Sequence, residues 1–434
     1  MVVSGRLAGV AAAIAAVCFG IAFVLPAWAA IALGLVLLVA VVAIDTLRIA
    51  PIDGLQFARD AMTVVRQGNS ATVTLSVTNA GGATITGELW EDWPDSVRQS
   101  VHHHRFTLAP HTVVRMRTIV TPAHRGDRDA GPITIRSFGP LGLVGWQFTR
   151  DVPATVRALP PFRSEKQLRS KVKLLQHLEG RSLTDIRGAG SEFDSYREYV
   201  VGDDVRAIDW RATARSNDVI VKTWRPERNR SVLLLLDTGR TSAALVGDGT
   251  RLDASIEAAL LLGGIAAEAG DTVSLLAFDR EVRAEVRGTS GSRLQSRLMH
   301  GLSSVVPRQV DADCAAMVRA AITRTPRRGL VVWFTALDGA MAEENLLPAL
   351  PPLLNRQRVM FVSVADPAIA DAAAERGSLA DIYTAAAAES VLAERALVQT
   401  TLRRKGAKVV SARPELLASA LADEYLDLKQ TAQM

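Results

Sequence analysis

The opening of the chain constrains it most. Leu7 to Leu25 is apolar throughout, Pro26 interrupts, and Ala27 to Ile44 is apolar again. Each run is about long enough to cross a hydrocarbon core of roughly 30 Å at about 1.5 Å per residue. Neither has a polar face, which argues against a buried soluble hairpin. The break at Pro26 allows a tight turn, so residues 1–50 read as a two-helix transmembrane hairpin in contact with membrane lipid. Arg6 precedes the pair and Arg48 follows it. On the reading that nothing charged lies between them, the positive-inside rule places both ends in the cytoplasm. The rival is a secretory signal, with Arg6 as its basic start and Ala27-Trp28-Ala29 as its cleavage site. Cleavage there would leave a mature chain that begins with a transmembrane helix, which disfavours it.

At 434 residues the chain has room for two or three domains. Its two cysteines, Cys18 and Cys314, cannot build a disulfide framework, and no CxxC pair offers a zinc site. A reducing compartment fits. The net charge of +5 is spread out, with bases and acids interleaved. Nucleic-acid binding wants a concentrated basic face and is set aside.

Residues 55–160 read as a small β-sandwich-like domain, immunoglobulin-like but without its cysteine pair. Ala71 to Thr78 alternates polar and apolar, and Asn79-Ala-Gly-Gly82 is a turn. Val113 to Val120 and Ile133 to Ile135 continue the pattern. Trp90 and Trp93 are expected to cap a small core. Of His102-His103-His104, only His102 and His104 would share a strand face, too few for a metal site.

Pro160-Pro161 marks the next boundary. Ser164 to Gly180 is basic and amphipathic, with Leu168, Val172, Leu175 and Leu178 near helical spacing. From Ser231 the pattern alternates between strand and helix. Strands are expected at Val232–Leu236, Thr272–Phe278, Leu330–Phe334, Val359–Val364 and Lys408–Val410, with Glu281–Val286 as an antiparallel edge. Helices are expected from an Asp253 cap to Ala269, at Ser292–Leu302, at Cys314–Thr323, from about Ala385 to Arg404, and after Pro414. Such alternation implies an α/β doubly wound parallel sheet over residues 231–434.

Between these parts, residues 164–230 hold an ion-rich segment. Gly188 to Arg215 sets alternating acids and bases among Phe193, Tyr196, Tyr199, Ile208 and Trp210. Buried charges are costly unless paired, so an ordered, ion-paired insert is expected. The run from Arg197 to Arg215, REYVVGDDVRAIDWRATAR, closely resembles the signature of domain-of-unknown-function family 58. Arg125 to Leu143, with its Pro-Leu-Gly-Leu turn, resembles that family's second landmark. The resemblance implies a membrane-anchored bacterial protein with a von Willebrand factor A-like (vWA-like) domain; with the hairpin and its flanking arginines, a multi-pass protein of the inner membrane with its bulk in the cytoplasm is expected. The resemblance also implies a non-enzymatic scaffold or adaptor that works with a MoxR-type AAA+ ATPase. The interaction or structural residues expected in this segment are Glu192, Arg197, Tyr199, Asp203, Asp204, Arg206, Asp209, Trp210 and Arg215.

The same resemblance directs attention to the loop after the first strand, where vWA domains carry Asp-x-Ser-x-Ser and hold Mg²⁺. Here Asp237 is followed by Gly239 and Thr241, and the later loop has Ala336 where an acid is expected, with Asp338 two residues on. The residues left to hold a cation are Asp237, Thr241 and Asp338. Too few oxygen donors remain, and the loop reads as degenerate, with Asp237 capping a helix or pairing with an arginine. Two alternatives stay open for the whole chain: a hydrolase using the Gly188–Arg215 carboxylates, and an envelope-facing binding module. No Ser-His-Asp or Cys-His set, phosphate-cradling loop or HExxH supports an enzyme.

Overall fold

The computed structural model describes residues 1–434 except 186–191, 217, 226–229, 292, 327, 340–341 and 431–434, and, as to side chains, 177–194, 223–225 and 289 as well. The chain separates into two compact units, Met1–Leu159 and Pro160–Met434.

The first unit begins with two apolar helices, α1 (Gly5–Ile21) and α2 (Ala27–Leu47). At 21 residues α2 is long and apolar enough to span a membrane. The 17 residues of α1 reach only about 25 Å at 1.5 Å per residue, short of a full crossing. One membrane-length helix therefore stands where two were expected. The helices approach closely where Cys18 meets Gly34, since a Cβ at Gly34 would lie 2.5 Å from the cysteine sulfur. Asp45 also corrects the sequence reading, because it is a charge between Arg6 and Arg48. It is wholly buried, and its carboxylate accepts hydrogen bonds from the amides of Leu141 (2.8 Å), Leu143 (2.8 Å) and Val144 (3.1 Å). The Pro-Leu-Gly-Leu turn is thus the seat of the end of α2. Gly139 faces Asp45 so closely that an added Cβ would overlap the carboxylate. The N-terminus meets the same turn: Val2 and Val3 pair with Gly145 and Val144, and Ser4 donates its hydroxyl to the Gly142 carbonyl at 2.6 Å.

The rest of this unit is β, as the alternating pattern predicts. A five-stranded sheet runs Val2–Val3, Val144–Arg150, Ile133–Phe138, Ile85–Trp90, His103–Leu108, and a four-stranded one runs Leu55–Arg59, Ala71–Asn79, Val113–Pro122, Val97–Gln99. Leu75, Val77 and Met116 of one meet Ile85, Leu89, Phe106, Ile133 and Ile135 of the other in a shared core. Trp93 is buried in a second cluster with Val73, Val97 and Val120. Trp90 instead lies between His103, stacked at 4.7 Å, and the Arg136 guanidinium at 4.4 Å. The histidines diverge: His102 meets Gln99, His103 faces Glu88, and His104 contacts Thr118 at 3.2 Å.

The second unit is organised by a six-stranded sheet. Its strands are β1 (Ser231–Asp237), β2 (Thr272–Phe278), β3 (Val282–Thr289), β4 (Leu330–Phe334), β5 (Arg358–Val364) and β6 (Lys408–Ala412), in the order β3-β2-β1-β4-β5-β6. All pairs are parallel except the edge pair β2–β3. Both faces of β1 are covered, which is why it reads as an unbroken apolar run. Leu233 and Leu235 join the Cys314–Arg324 and Leu379–Arg404 helices in one core, while Leu234 lies under Gly263 of the Arg251–Glu268 helix. That helix is capped by Thr250, with Asp253 completing a capping box, so the cap lies three residues before the expected one. The Leu379–Arg404 helix likewise starts ahead of Ala385, at a Ser378 cap. The basic helix Glu165–Asp185 buries Leu175, and its Lys171 pairs with Asp423.

Candidate functional site

Two places carry the residues singled out from the sequence. The first is a two-stranded antiparallel ribbon, Glu192–Glu198 with Ile220–Arg225, and the turns between its strands. Arg197 grips Asp203 with both guanidinium nitrogens, at 2.7 and 2.5 Å, and Asp203 also accepts the Val200 amide at 2.9 Å. Asp204 accepts the Arg206 amide at the start of a short 3₁₀ turn. Asp209 caps the one-turn helix Trp210–Thr213 by accepting the Arg211 and Ala212 amides at 3.0 and 3.1 Å. Lys222 at 2.7 Å and the Tyr196 hydroxyl at 3.2 Å complete its shell.

Hydrogen bonds from Lys222, foremost, and from the Ala212 amide hold the Asp209 carboxyl down at about 2. The Arg197 side chain does the same to Asp203, with the Val200 amide assisting. Carboxylates kept ionised in this way are the opposite of what a general acid needs. Their role here is to fix turns.

The sequence expectation is corrected in two respects. Asp209 finds its cation on the opposite strand, while Arg206 and Arg215 make no ion pair among the described residues. Of the aromatic residues, Trp210 is 68% exposed and Tyr196 51%. Val200, Val201 and Val205 are exposed with them, Val201 at 95%. Tyr199 is half-buried, its amide bonded to the Val219 carbonyl at 2.8 Å. The side chain of Glu192 lies outside the described residues, as do Gly188 and the residues just after it.

Residues 195–409 match the family model described as "Protein of unknown function DUF58". The match takes in the Arg197–Arg215 signature and ends within β6; the Arg125–Leu143 turn lies outside it. Uncharacterized proteins of Mycobacterium tuberculosis and Mycobacterium bovis are each 27% identical over 269 residues, covering 57% of this chain and 83% of theirs. Among solved structures, Escherichia coli alpha-2-macroglobulin aligns over 25% of this chain and 7% of its own, at 15% identity and a TM-score of 0.21. A FixG-related protein from Vibrio parahaemolyticus aligns over 24% of this chain and 97% of its own, at 12% identity and 0.17. Likenesses that slight carry no argument.

The second place, also within residues 195–409, is the carboxyl end of the sheet, where open α/β sheets bind ligands. A shallow pocket there is lined by Asp237, Thr241, Asp311, Cys314, Thr335 and Asp338, among others. Asp237, the last residue of β1, is buried and accepts the Gly239 amide and the Thr335 hydroxyl, both at 2.8 Å. It neither caps a helix nor pairs with an arginine. Burial, with the neighbouring Asp279 carboxylate adding to it, raises the Asp237 carboxyl above its usual range.

Asp279, after β2, was not singled out from the sequence; it is fully buried and accepts the Thr238 hydroxyl and the Arg280 and Glu281 amides. Asp338 does not join Asp237. It takes Arg251 at 3.1 Å and Arg395 at 2.8 Å, and although burial alone would push it up, the two guanidiniums hold it below the usual carboxylate range. Burial pushes the Cys314 thiol up to about 12. Among the described residues, no group of three or more His, Cys, Asp or Glu is placed to hold a metal ion.

Proposed function

We propose that this protein is a non-enzymatic, membrane-anchored adaptor whose ribbon of residues 192–225 docks a MoxR-type AAA+ ATPase. The observation that carries the reading is the state of the ribbon's side chains. Asp203, Asp204 and Asp209 are consumed in caps and ion pairs, while Val200, Val201, Val205 and Trp210 stand in solvent, as do Arg206, Arg211 and Arg215. Exposed Trp, backed by arginine, is the residue pattern of interface anchors. The β3-β2-β1-β4-β5-β6 order with one antiparallel edge suits a vWA-like domain, and the strands from Leu55 to Leu159 suit an immunoglobulin-like sandwich.

For the anchor we favour a hairpin with both ends cytoplasmic. Val2–Val3 and Asp45 both meet the turn at residues 139–145, so the two ends of the helical pair lie on one side of a bilayer that α2 enters. A single crossing would part them. A photo-crosslinker placed at Val201 in the membrane-embedded full chain tests the docking claim. Crosslinks to a AAA+ ATPase support it; crosslinks to lipid alone, or to none but its own chain, refute it.

A further inference from the structure

We infer that Arg251 is a built-in cation beside the strand-end site, its guanidinium occupying the Asp338 carboxylate that the vWA resemblance would offer to a divalent metal. This goes beyond the adaptor reading and stands on the geometry of that site alone. One of the three residues left to hold a metal is bound by Arg251: its Nη1 donates to Asp338 Oδ2 at 3.1 Å, and it also reaches the Thr241 backbone carbonyl at 3.5 Å. Arg395 takes the other Asp338 oxygen through two nitrogens, at 3.0 and 2.8 Å. Both Asp338 oxygens are thus committed to arginine. The third residue, Asp237, spends its oxygens on the Gly239 amide and the Thr335 hydroxyl.

The serine position cannot be refilled as the loop stands. A Cβ on Gly239 would lie 2.9 Å from the Val310 carbonyl oxygen and 3.2 Å from the Ala312 amide nitrogen. A hard divalent ion needs several oxygens converging at about 2.0–2.6 Å. The Asp338 oxygens instead meet planar, permanently charged guanidiniums through directed N–H groups. Arg251 is itself buried at the start of its helix, so the charge is fixed in place. The consequence is a loop tied to two helices, Arg251–Glu268 and Leu379–Arg404, without any exchangeable ion.

The test uses the full chain in detergent micelles. Mn²⁺ titrated into the parent and followed by electron paramagnetic resonance should show no saturable site, and the melting temperature should be equal in EDTA and in millimolar Mg²⁺. Arg251→Ala should lower the melting temperature by about 4 °C or more. Millimolar methylguanidinium should restore part of that loss, while the neutral isostere N-methylurea should not. Saturable Mn²⁺ binding by the parent overturns the inference, and it does so even if the variant fails to fold. An unchanged melting temperature in Arg251→Ala, or equal rescue by the uncharged analogue, also overturns it.

Discussion

Replacing Asp45 by alanine should release the extra-membrane turn from the end of α2. The carboxylate is wholly buried and accepts three amides, of which those of Leu143 and Val144 are buried and that of Leu141 partly so. Each buried donor left without a partner costs about 1–3 kcal/mol. Two such donors give about 2–6 kcal/mol, with the Leu141 amide free to turn to water. A central loss of about 4 kcal/mol corresponds to a roughly thousand-fold rise in the local opening constant. Hydrogen exchange of a peptide spanning residues 139–146, measured on the full chain in micelles, reads that opening directly. Exchange at Leu143 and Val144 should quicken by about that factor in Asp45→Ala. Asp45→Asn keeps one acceptor oxygen and should fall between variant and parent. Parent-like protection of both amides in Asp45→Ala would refute the latch, and with it the argument that both ends of the hairpin share one side.

Two further substitutions probe the strand-end loop. Asp237 has a raised carboxyl pKa in the fold, so the stability linked to its protonation is complete below the unfolded value of about 3.9 and is lost as pH rises through the folded value. Asp237→Asn, which can still accept the Gly239 amide, should therefore melt a few degrees above the parent at neutral pH, with the gain shrinking on acidification; a loss of stability at neutral pH would contradict this. Gly239→Ser should cost about 1–3 kcal/mol by crowding the Val310 carbonyl, measured by denaturant unfolding, and a neutral result would show that the loop has room for the missing hydroxyl.

The sheet was legible because its strands are unbroken apolar runs, such as Val232–Leu236 and Leu330–Phe334, set between polar turns. Helix starts were less so. Asp253 reads as a cap because it precedes the apolar stretch, although Thr250, with Asp253 at the third helical position, is the capping-box pattern. The Leu379–Arg404 helix starts in the same way, with Ser378 as its cap and Asp381 at the third helical position. The Asp338 clamp could not be read at all, since its arginines lie 87 and 57 residues away along the chain and only the fold joins them. Asp45 was overlooked although it stands at the very end of an apolar run, where a lone acid is a signal in its own right. In the ribbon Asp203 takes a base six positions away, Arg197, whereas Asp209 takes one 13 positions away that only the strand pairing brings near. Lys222 lies across the ribbon from Tyr196, and that register supplies the cation of Asp209.

The central claim is that the ribbon docks an ATPase through exposed apolar side chains. The most direct measurement is the affinity of the micelle-embedded full chain for a purified MoxR-type ATPase, in the parent and in Val201→Asp and Trp210→Ala. Neither side chain supports the fold, so melting temperatures should stay within about 2 °C of the parent while each variant binds at least about tenfold more weakly. Equal affinity in parent and variants, or no binding by the parent at all, would contradict the account.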